Sequence, residues 1–196
     1  MGGRETRELP PMNAMIAGLA LFFAVHLLPV HPRWRESLIG RFGQPVYTAL
    51  FSLLSLGGLL LIAHGYGQVD ERILWTPPAG AGPLAIAVMP AALILLLAAY
   101  LPTWLRARLR HPMLIGIALW SAVHLLATGR LATTLLFGAF LTYALADIAL
   151  ARRRRQMIPG GTPRLHWDAI AVAGGLLAWW LLRRWHEDLF GVAVTG

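Results

Sequence analysis

The chain has 196 residues, of which 57% are hydrophobic and only 13% charged, and its mean hydropathy is +0.61. A soluble core of this size does not require so apolar a composition, so the sequence indicates an integral membrane protein. The net charge of +8 does not indicate nucleic-acid binding, because the arginines lie in short loops that flank apolar segments. The absence of cysteine excludes thiol enzymes, disulfides and cysteine-ligated iron–sulfur clusters.

Six apolar segments are each long enough to cross a bilayer, which takes about 20 residues and at least about 17. They lack the alternation of a membrane β-barrel, so we predict an all-α, polytopic membrane helical bundle of about six transmembrane helices. We expect one membrane domain over residues 13–186, with tails at 1–12 and 187–196. The predicted spans are 13–30, 46–66, 84–102, 112–128, 131–150 and 167–184.

The arginines are distributed unequally between the two sides of this bundle. Eleven of the 17 basic residues fall on one side, and six fall on the other. By the positive-inside rule the richer side faces the cytoplasm, so both termini are predicted to face outward. The eleven are Arg33, Arg35, Arg41, Arg106, Arg108, Arg110, Arg152, Arg153, Arg154, Arg155 and Arg164.

Two pairs of glycines lie inside predicted spans. Gly57 and Gly58 are in the second span, and Gly174 and Gly175 are in the sixth. Because lipid gives no hydrophobic drive for helix packing, small residues at such positions predict close helix contacts.

A short internal repeat connects the first and fourth spans. Residues 24–28 read Ala-Val-His-Leu-Leu, and residues 122–126 repeat the same five letters. Copies three spans apart are inverted in the membrane, so the echo suggests a 3+3 inverted repeat with a site at the interface of its halves. A chance match of five common residues remains the alternative.

The seven histidines differ in their surroundings. Five lie in loops or at span ends, where contact with water or headgroups is the ordinary explanation: His31, His64, His111, His166 and His186. His111 precedes Pro112, which suits a first helical position, so His111 is expected to cap that turn. His26 and His124 are embedded in apolar residues within spans, where an imidazole needs partners and indicates a functional site.

The fourth span offers a surface on which a flat macrocycle can pack. Gly116 and Trp120 share the face of His124, because they precede it in steps of four. His111 lies 13 positions before His124, which is about 140° around the helix, so these two histidines do not line one narrow site.

Several motifs carry a resemblance to a known family. They are residues 26–29 (His-Leu-Leu-Pro), 50–57 (Leu-Phe-Ser-Leu-Leu-Ser-Leu-Gly), 109–116 (Leu-Arg-His-Pro-Met-Leu-Ile-Gly) and 124–129 (His-Leu-Leu-Ala-Thr-Gly). The chain resembles the NnrU family of bacterial membrane proteins over nearly everything after residue 15. The resemblance implies a multi-pass protein of the bacterial inner membrane, linked to denitrification through nitrite and nitric oxide reduction.

The NnrU family is in turn similar to plant zeta-carotene isomerase, a membrane protein in which two histidines ligate haem b. Carried over to this chain, the resemblance implies His26 and His124 as ligands, and an isomerase or redox protein acting on an apolar small molecule. Trp120 and Gly116 would shape the pocket, and Arg110 or Arg106 would pair with haem propionates. The isomerase has a cysteine three residues before the later ligand, and Ser121 stands there in this chain, so no thiolate switch is available.

Three alternatives stay open from the residues alone. The predicted spans place His26 near the inner end and His124 near the outer end, about 15 Å apart in depth, so His111 is a second possible partner for His26. The protein can instead be a transporter or an assembly factor for denitrification enzymes. The histidines can also be purely structural and form interhelical hydrogen bonds.

Overall fold

A computed structural model describes residues 11–69, 72–151 and 161–194 of the chain. Within these residues the structure is α-helical apart from turns and an isolated antiparallel bridge between Ile73 and Arg130. The predicted all-α class is therefore confirmed. The expectation about the basic residues 152–155 falls outside the described residues, and the domain limits at residues 13 and 186 stay a prediction.

The first compact unit comprises Met1–Glu71. In it α1 packs along α3, and a 3₁₀ turn at Leu28–Val30 follows α1. Proline stands at the first helical turn of α2 and of α3, where its missing N–H costs nothing. The helices are α1 (Pro11–Leu27), α2 (Pro32–Phe42) and α3 (Gln44–Tyr66).

The second compact unit comprises Arg72–Gly196. Its centre is α4, which packs against both α6 and α8, while α7 packs against α6. The helices are α4 (Ala81–Ala98), α5 (Trp104–Leu109), α6 (Pro112–Ala127), α7 (Leu131–Ala151), α8 (Leu165–Arg184) and α9 (His186–Phe190).

Five helical segments of the described chain are long and apolar enough to cross a membrane. The fourth predicted span, residues 112–128, corresponds to α6, which is apolar but has only 16 residues. At about 1.5 Å per residue α6 is roughly 24 Å long, somewhat short of the hydrocarbon core. The five long segments are Met12–Val30, Gln44–Tyr66, Ala81–Ala98, Leu131–Leu150 and Leu165–Arg184.

The predicted glycine contacts are confirmed at Gly58, at Gly175 and at Gly174, where a Cβ would lie 3.0 Å from the Leu97 side chain of α4. A Cβ on Gly58 would lie 3.1 Å from the carbonyl oxygen of Gly18 on α1. A Cβ on Gly175 would lie 2.5 Å from the Ile94 side chain on α4. Gly57 faces open space, so the close approach in the first unit depends on Gly58 together with Gly18, whose Cβ would lie 2.8 Å from the Gly58 carbonyl oxygen.

Two tertiary contacts set where α6 begins and ends. The Asp168 carboxylate of α8 accepts backbone N–H groups of Trp104 and Leu105 at 2.9 and 3.1 Å, which anchors α5 just before α6. Beyond the far end of α6, the Gly129 carbonyl accepts the backbone N–H of Leu74 at 2.7 Å. Both contacts satisfy backbone groups that helix ends and turns would otherwise leave unpaired.

The helix α2 was not predicted, because residues 31–45 lie between the first two predicted spans and were expected to form a short loop. The segment is helical over 11 residues. It begins after His31, which is extended, and ends at Gly43, whose φ of 81° terminates the helix.

Candidate functional site

The first predicted ligand, His26, lies half-buried in the last turn of α1. Its Nδ1 atom is 2.8 Å from the carbonyl oxygen of Phe22, one turn earlier. A carbonyl only accepts hydrogen bonds, so Nδ1 carries the proton and donates it. In the neutral ring the lone pair therefore lies on Nε2, which is the nitrogen that binds a metal ion.

Aromatic side chains set the plane of the His26 ring. The Phe22 ring is stacked on it at 4.0 Å between centroids, with 24° between the planes. The Phe51 ring of α3 approaches it at 5.1 Å and is tilted by 55°. The hydrogen bond and the stacking partner both come from α1, so the helix itself orients this imidazole.

The second predicted ligand, His124, is half-buried in the last turn of α6. Its Nδ1 atom is 2.8 Å from the carbonyl oxygen of Trp120, so it too donates from Nδ1 and keeps its lone pair on Nε2. The ring stacked on it belongs to Phe137 of α7, at 4.4 Å and 24°. A neighbouring helix therefore orients this imidazole.

The environments of His26 and His124 have the same arrangement of aromatic residues, in addition to the repeated five-residue sequence. Each histidine has an aromatic residue four positions earlier and an aromatic contact from the next spanning helix. Phe51 follows His26 by 25 positions, and Phe137 follows His124 by 13. The 11 residues of α2 account for most of this difference. The inverted repeat itself stays a prediction.

Trp120 and Gly116, predicted to shape a cofactor pocket, have identifiable neighbours within the second unit. The Trp120 ring makes edge contacts with Phe137 and Phe140 of α7, at 4.8 and 5.5 Å between centroids. A Cβ on Gly116 would lie 2.8 Å from the carbonyl oxygen of Ala92 on α4. Helix packing therefore explains the glycine at this position, and its role toward a cofactor stays a prediction.

Arg110 and His111 form an unusual turn before α6. Arg110 is exposed and has φ 61° and ψ −42°, and the backbone N–H of His111 donates to the Leu109 carbonyl at 2.6 Å. This is a γ-turn of the rare, strained kind with positive φ. The His111 carbonyl accepts the N–H of Ile115 at 3.1 Å, but its side chain makes no capping hydrogen bond. The capping prediction is therefore confirmed for the backbone only.

His186, expected from the sequence to be an ordinary residue near a loop, also has its Nδ1 atom hydrogen-bonded to a backbone carbonyl. Its Nδ1 atom is 2.7 Å from the carbonyl oxygen of Val192, so its lone pair also lies on Nε2. It belongs to the same unit as His124 and lies close enough for an electrostatic interaction with it. The available sequence signal was that the fourth and sixth spans run in the same direction, so their ends reach the same side.

For the remaining histidines the structure gives no hydrogen bond from the ring to a backbone carbonyl of the described residues. His31, His64 and His166 are exposed. The His64 ring nitrogens are each 3.3 Å from the amide of Gln68 on the same helix end. In the part of the chain that the structure describes, no group of three or more His, Asp or Glu residues is placed to hold a bare metal ion. A haem iron needs at most two protein ligands, so this leaves haem unaffected.

These features define a polytopic α-helical membrane protein with two anchored, aromatic-packed histidines at helix ends. The NnrU family model, described as NnrU protein, matches residues 14–194. The match covers nearly the whole chain, so the protein belongs to the NnrU family. Comparisons with curated proteins and with solved structures found no match.

Proposed function

We propose that this NnrU-family protein binds haem b through the Nε2 atoms of His26 and His124, and that it acts in the bacterial inner membrane as an isomerase or redox protein on an apolar small molecule. The observation that supports this proposal best is that both rings donate Nδ1–H to a backbone carbonyl at 2.8 Å. Such a ring suits a haem ligand, because the second hydrogen bond fixes the tautomer and strengthens the donor nitrogen.

The residues around each histidine fit a haem site in chemical type. Phe22 and Phe137 stack on the imidazoles and hold their planes, and apolar rings of this kind exclude water from a ligand atom. Arg110 is exposed at the end of α5, where a guanidinium is suited to pairing with a carboxylate. Haem b, when bound, supplies an iron that acts as a Lewis acid or one-electron centre.

A link to denitrification belongs to the same proposal, because it comes from the family resemblance. The imidazoles are neutral donors held in apolar surroundings, and a haem with such ligands is suited to electron transfer or to chemistry on a nonpolar substrate. The arginine count further supports placing Arg110 on the cytoplasmic side.

The test is to purify the protein in detergent from cells supplied with a haem precursor and to record oxidised and reduced absorption spectra. We expect a stoichiometric Soret band and a sharp reduced α-band in the wild type. Both should be lost or strongly weakened in His26→Ala and in His124→Ala. His64→Ala is the matched control, because His64 also ends a spanning helix but is exposed, and it should leave the spectra unchanged.

His186→Ala separates two ligand assignments. Loss of the sharp α-band in His186→Ala, with retention in His26→Ala, would move the second ligand to the unit that contains His124. A wild type that elutes as one homogeneous species without a Soret band would overturn the haem proposal and favour a transporter or an assembly factor.

A further inference from the structure

The short helix α2 connects two helical segments that are both candidate membrane spans. It is joined to α1 through the 3₁₀ turn Leu28–Val30 and to α3 through Gly43. Both neighbours are long and apolar enough to cross the bilayer. A helix of 11 residues between the ends of two spans lies where lipid headgroups meet water.

One row of α2 is apolar, and the two aromatic residues in it are exposed. Trp34, Leu38 and Phe42 follow each other in steps of four, so they form a stripe that turns by only about 40° per step. The exposed fraction is 60% for Trp34 and 48% for Phe42, and no residue of α2 is buried. Exposed aromatic side chains on a short helix at a span end are suited to the boundary between headgroups and acyl chains.

The adjacent row of α2 is polar and positively charged. Arg33, Ser37 and Arg41 also follow in steps of four, about 100° from the apolar row. The guanidinium of Arg41 lies 5.5 Å from the Phe42 ring centroid, at the border of the two rows. With Arg35 and Glu36 included, three positive charges face one negative charge along this helix.

The positive charge of α2 is complementary to an anionic lipid surface. The arginine distribution predicts that α2 lies on the cytoplasmic side of the membrane. That leaflet carries anionic lipids, and each Lys or Arg near it gains about 1 kcal/mol. A second protein is not needed to cover the apolar row, since the bilayer next to α1 and α3 is within reach of it.

We propose that α2 is an interfacial helix that lies in the plane of the cytoplasmic membrane surface. Trp34, Leu38 and Phe42 enter the acyl boundary, and Arg33 and Arg41 bind the phosphate groups of anionic lipids. Arg35 serves the fold, because its guanidinium lies over the Tyr47 ring of α3 at 5.8 Å. The inference is independent of the haem proposal.

The first experiment measures the depth of the two rows. The chain contains no cysteine, so Leu38→Cys and Ser37→Cys each carry a single nitroxide spin label in the full chain. After reconstitution in vesicles of phosphatidylethanolamine and phosphatidylglycerol, collision rates with oxygen and with a nickel chelate report depth. We expect the label at position 38 about 5–10 Å below the phosphate level and the label at position 37 in water. Equal access of the nickel chelate to both labels would overturn the proposal.

The second experiment tests the lipid headgroup. The ratio of phosphatidylglycerol to phosphatidylcholine retained on the purified protein is measured by native mass spectrometry for the wild type and for Arg33→Gln/Arg41→Gln. We expect the binding constant for phosphatidylglycerol to fall by up to about 30-fold, which is about 1 kcal/mol for each arginine.

Arg183→Gln/Arg184→Gln is the matched control for charge. It removes the same number of charges from the end of α8, where Arg183 also lies 5.5 Å from an aromatic ring centroid, that of Trp179. Retention should stay at the wild-type level in this control. An equal loss in both double variants would overturn the proposal in favour of a general charge effect. Displacement of the lipid by inorganic phosphate would also overturn it, by making this a site for the free anion.

Discussion

The surroundings of His26 and His124 are built on the same local plan but are stabilised in different ways. His26 takes both its hydrogen bond and its stacked ring from Phe22 on its own helix. His124 takes the hydrogen bond from its own helix but the stacked ring from Phe137 on the next one. The first ring therefore follows α1 wherever α1 goes, whereas the second depends on how α6 and α7 pack.

The connections between the helices also differ between the two units. The first unit places the whole of α2 between α1 and α3, while α6 and α7 are separated by only Thr128, Gly129 and Arg130. That short turn is fixed from outside, since the Leu131 N–H donates to the Arg72 carbonyl at 2.8 Å. Substitutions that disturb tertiary packing should therefore affect His124 more than His26.

The largest expected effect is at Gly129. A Cβ at this position would fall on the backbone carbonyl group of Trp75, so Gly129→Ala must push the two segments apart. We expect the free energy of unfolding to fall by more than about 4 kcal/mol, above the usual cost of overpacking, because the clash is with backbone atoms. SDS titration in mixed micelles with tryptophan fluorescence measures it. Gly67→Ala is the control in the first unit, because its Cβ would meet only the Ala63 carbonyl at an ordinary 3.9 Å. Equal effects of the two substitutions would contradict the contrast between the units.

The second expected effect is at the two phenylalanines that reach a histidine from another helix. Phe137 is buried, and Phe51 is partly exposed. Phe137→Ala should cost about 3–4 kcal/mol in the free energy of unfolding, and Phe51→Ala should cost about half as much. The same SDS titration measures both. A larger loss in Phe51→Ala would show that His26 depends on α3 more than its stacking geometry indicates.

Much of the fold could be predicted because apolar length alone determines where a helix crosses lipid. The spans ending near residues 66 and 184 have the ends that the sequence indicates, and Gly58 and Gly175 make the predicted close contacts. The helix α2 was missed because its amphipathic pattern extends over only 11 residues. Its three arginines also read equally well as the charges of a cytoplasmic loop.

The site was predictable only in part, for a related reason. A histidine inside an apolar span is unusual enough to be noticed at once, and an anchor to a carbonyl four residues earlier is a local property of a helix. The partners Phe51 and Phe137 depend on how neighbouring helices are rotated. Spans that are apolar on all sides carry little information about that rotation. The contact between Asp168 and α5 joins residues 64 positions apart and was not predictable for the same reason.

A smaller effect is expected where the backbone turns before a spanning helix. Before α3 the turn has Gly43 with φ 81°, whereas before α6 it has Arg110 with φ 61°. Positive φ costs a residue with a side chain roughly 1–2 kcal/mol and costs glycine nothing. Arg110→Gly should therefore raise the free energy of unfolding by about 1 kcal/mol relative to Arg110→Ala, while Gly43→Ala should lower it by a similar amount. Thermal unfolding in detergent would measure both, and a loss of stability in Arg110→Gly would mean that the side chain contributes more than the strain costs.

The smallest expected effect concerns two serine hydroxyls that have no hydrogen-bond partner among the described residues. Ser121 is fully buried on α6, one turn before His124, and Ser55 is half-buried on α3, one turn after Phe51. An unpaired buried hydroxyl costs about 1 kcal/mol or more, so Ser121→Ala should raise the free energy of unfolding by up to about 1 kcal/mol, and Ser55→Ala by less. Ser121→Cys keeps a side chain of similar shape with a weaker donor and should fall between the wild type and Ser121→Ala. If Ser121→Ala is instead destabilising in the membrane, its hydroxyl bonds to something that only the occupied site supplies. In that case the same variant in the haem-loaded protein should shift the Soret band, and Ser55→Ala should leave it in place.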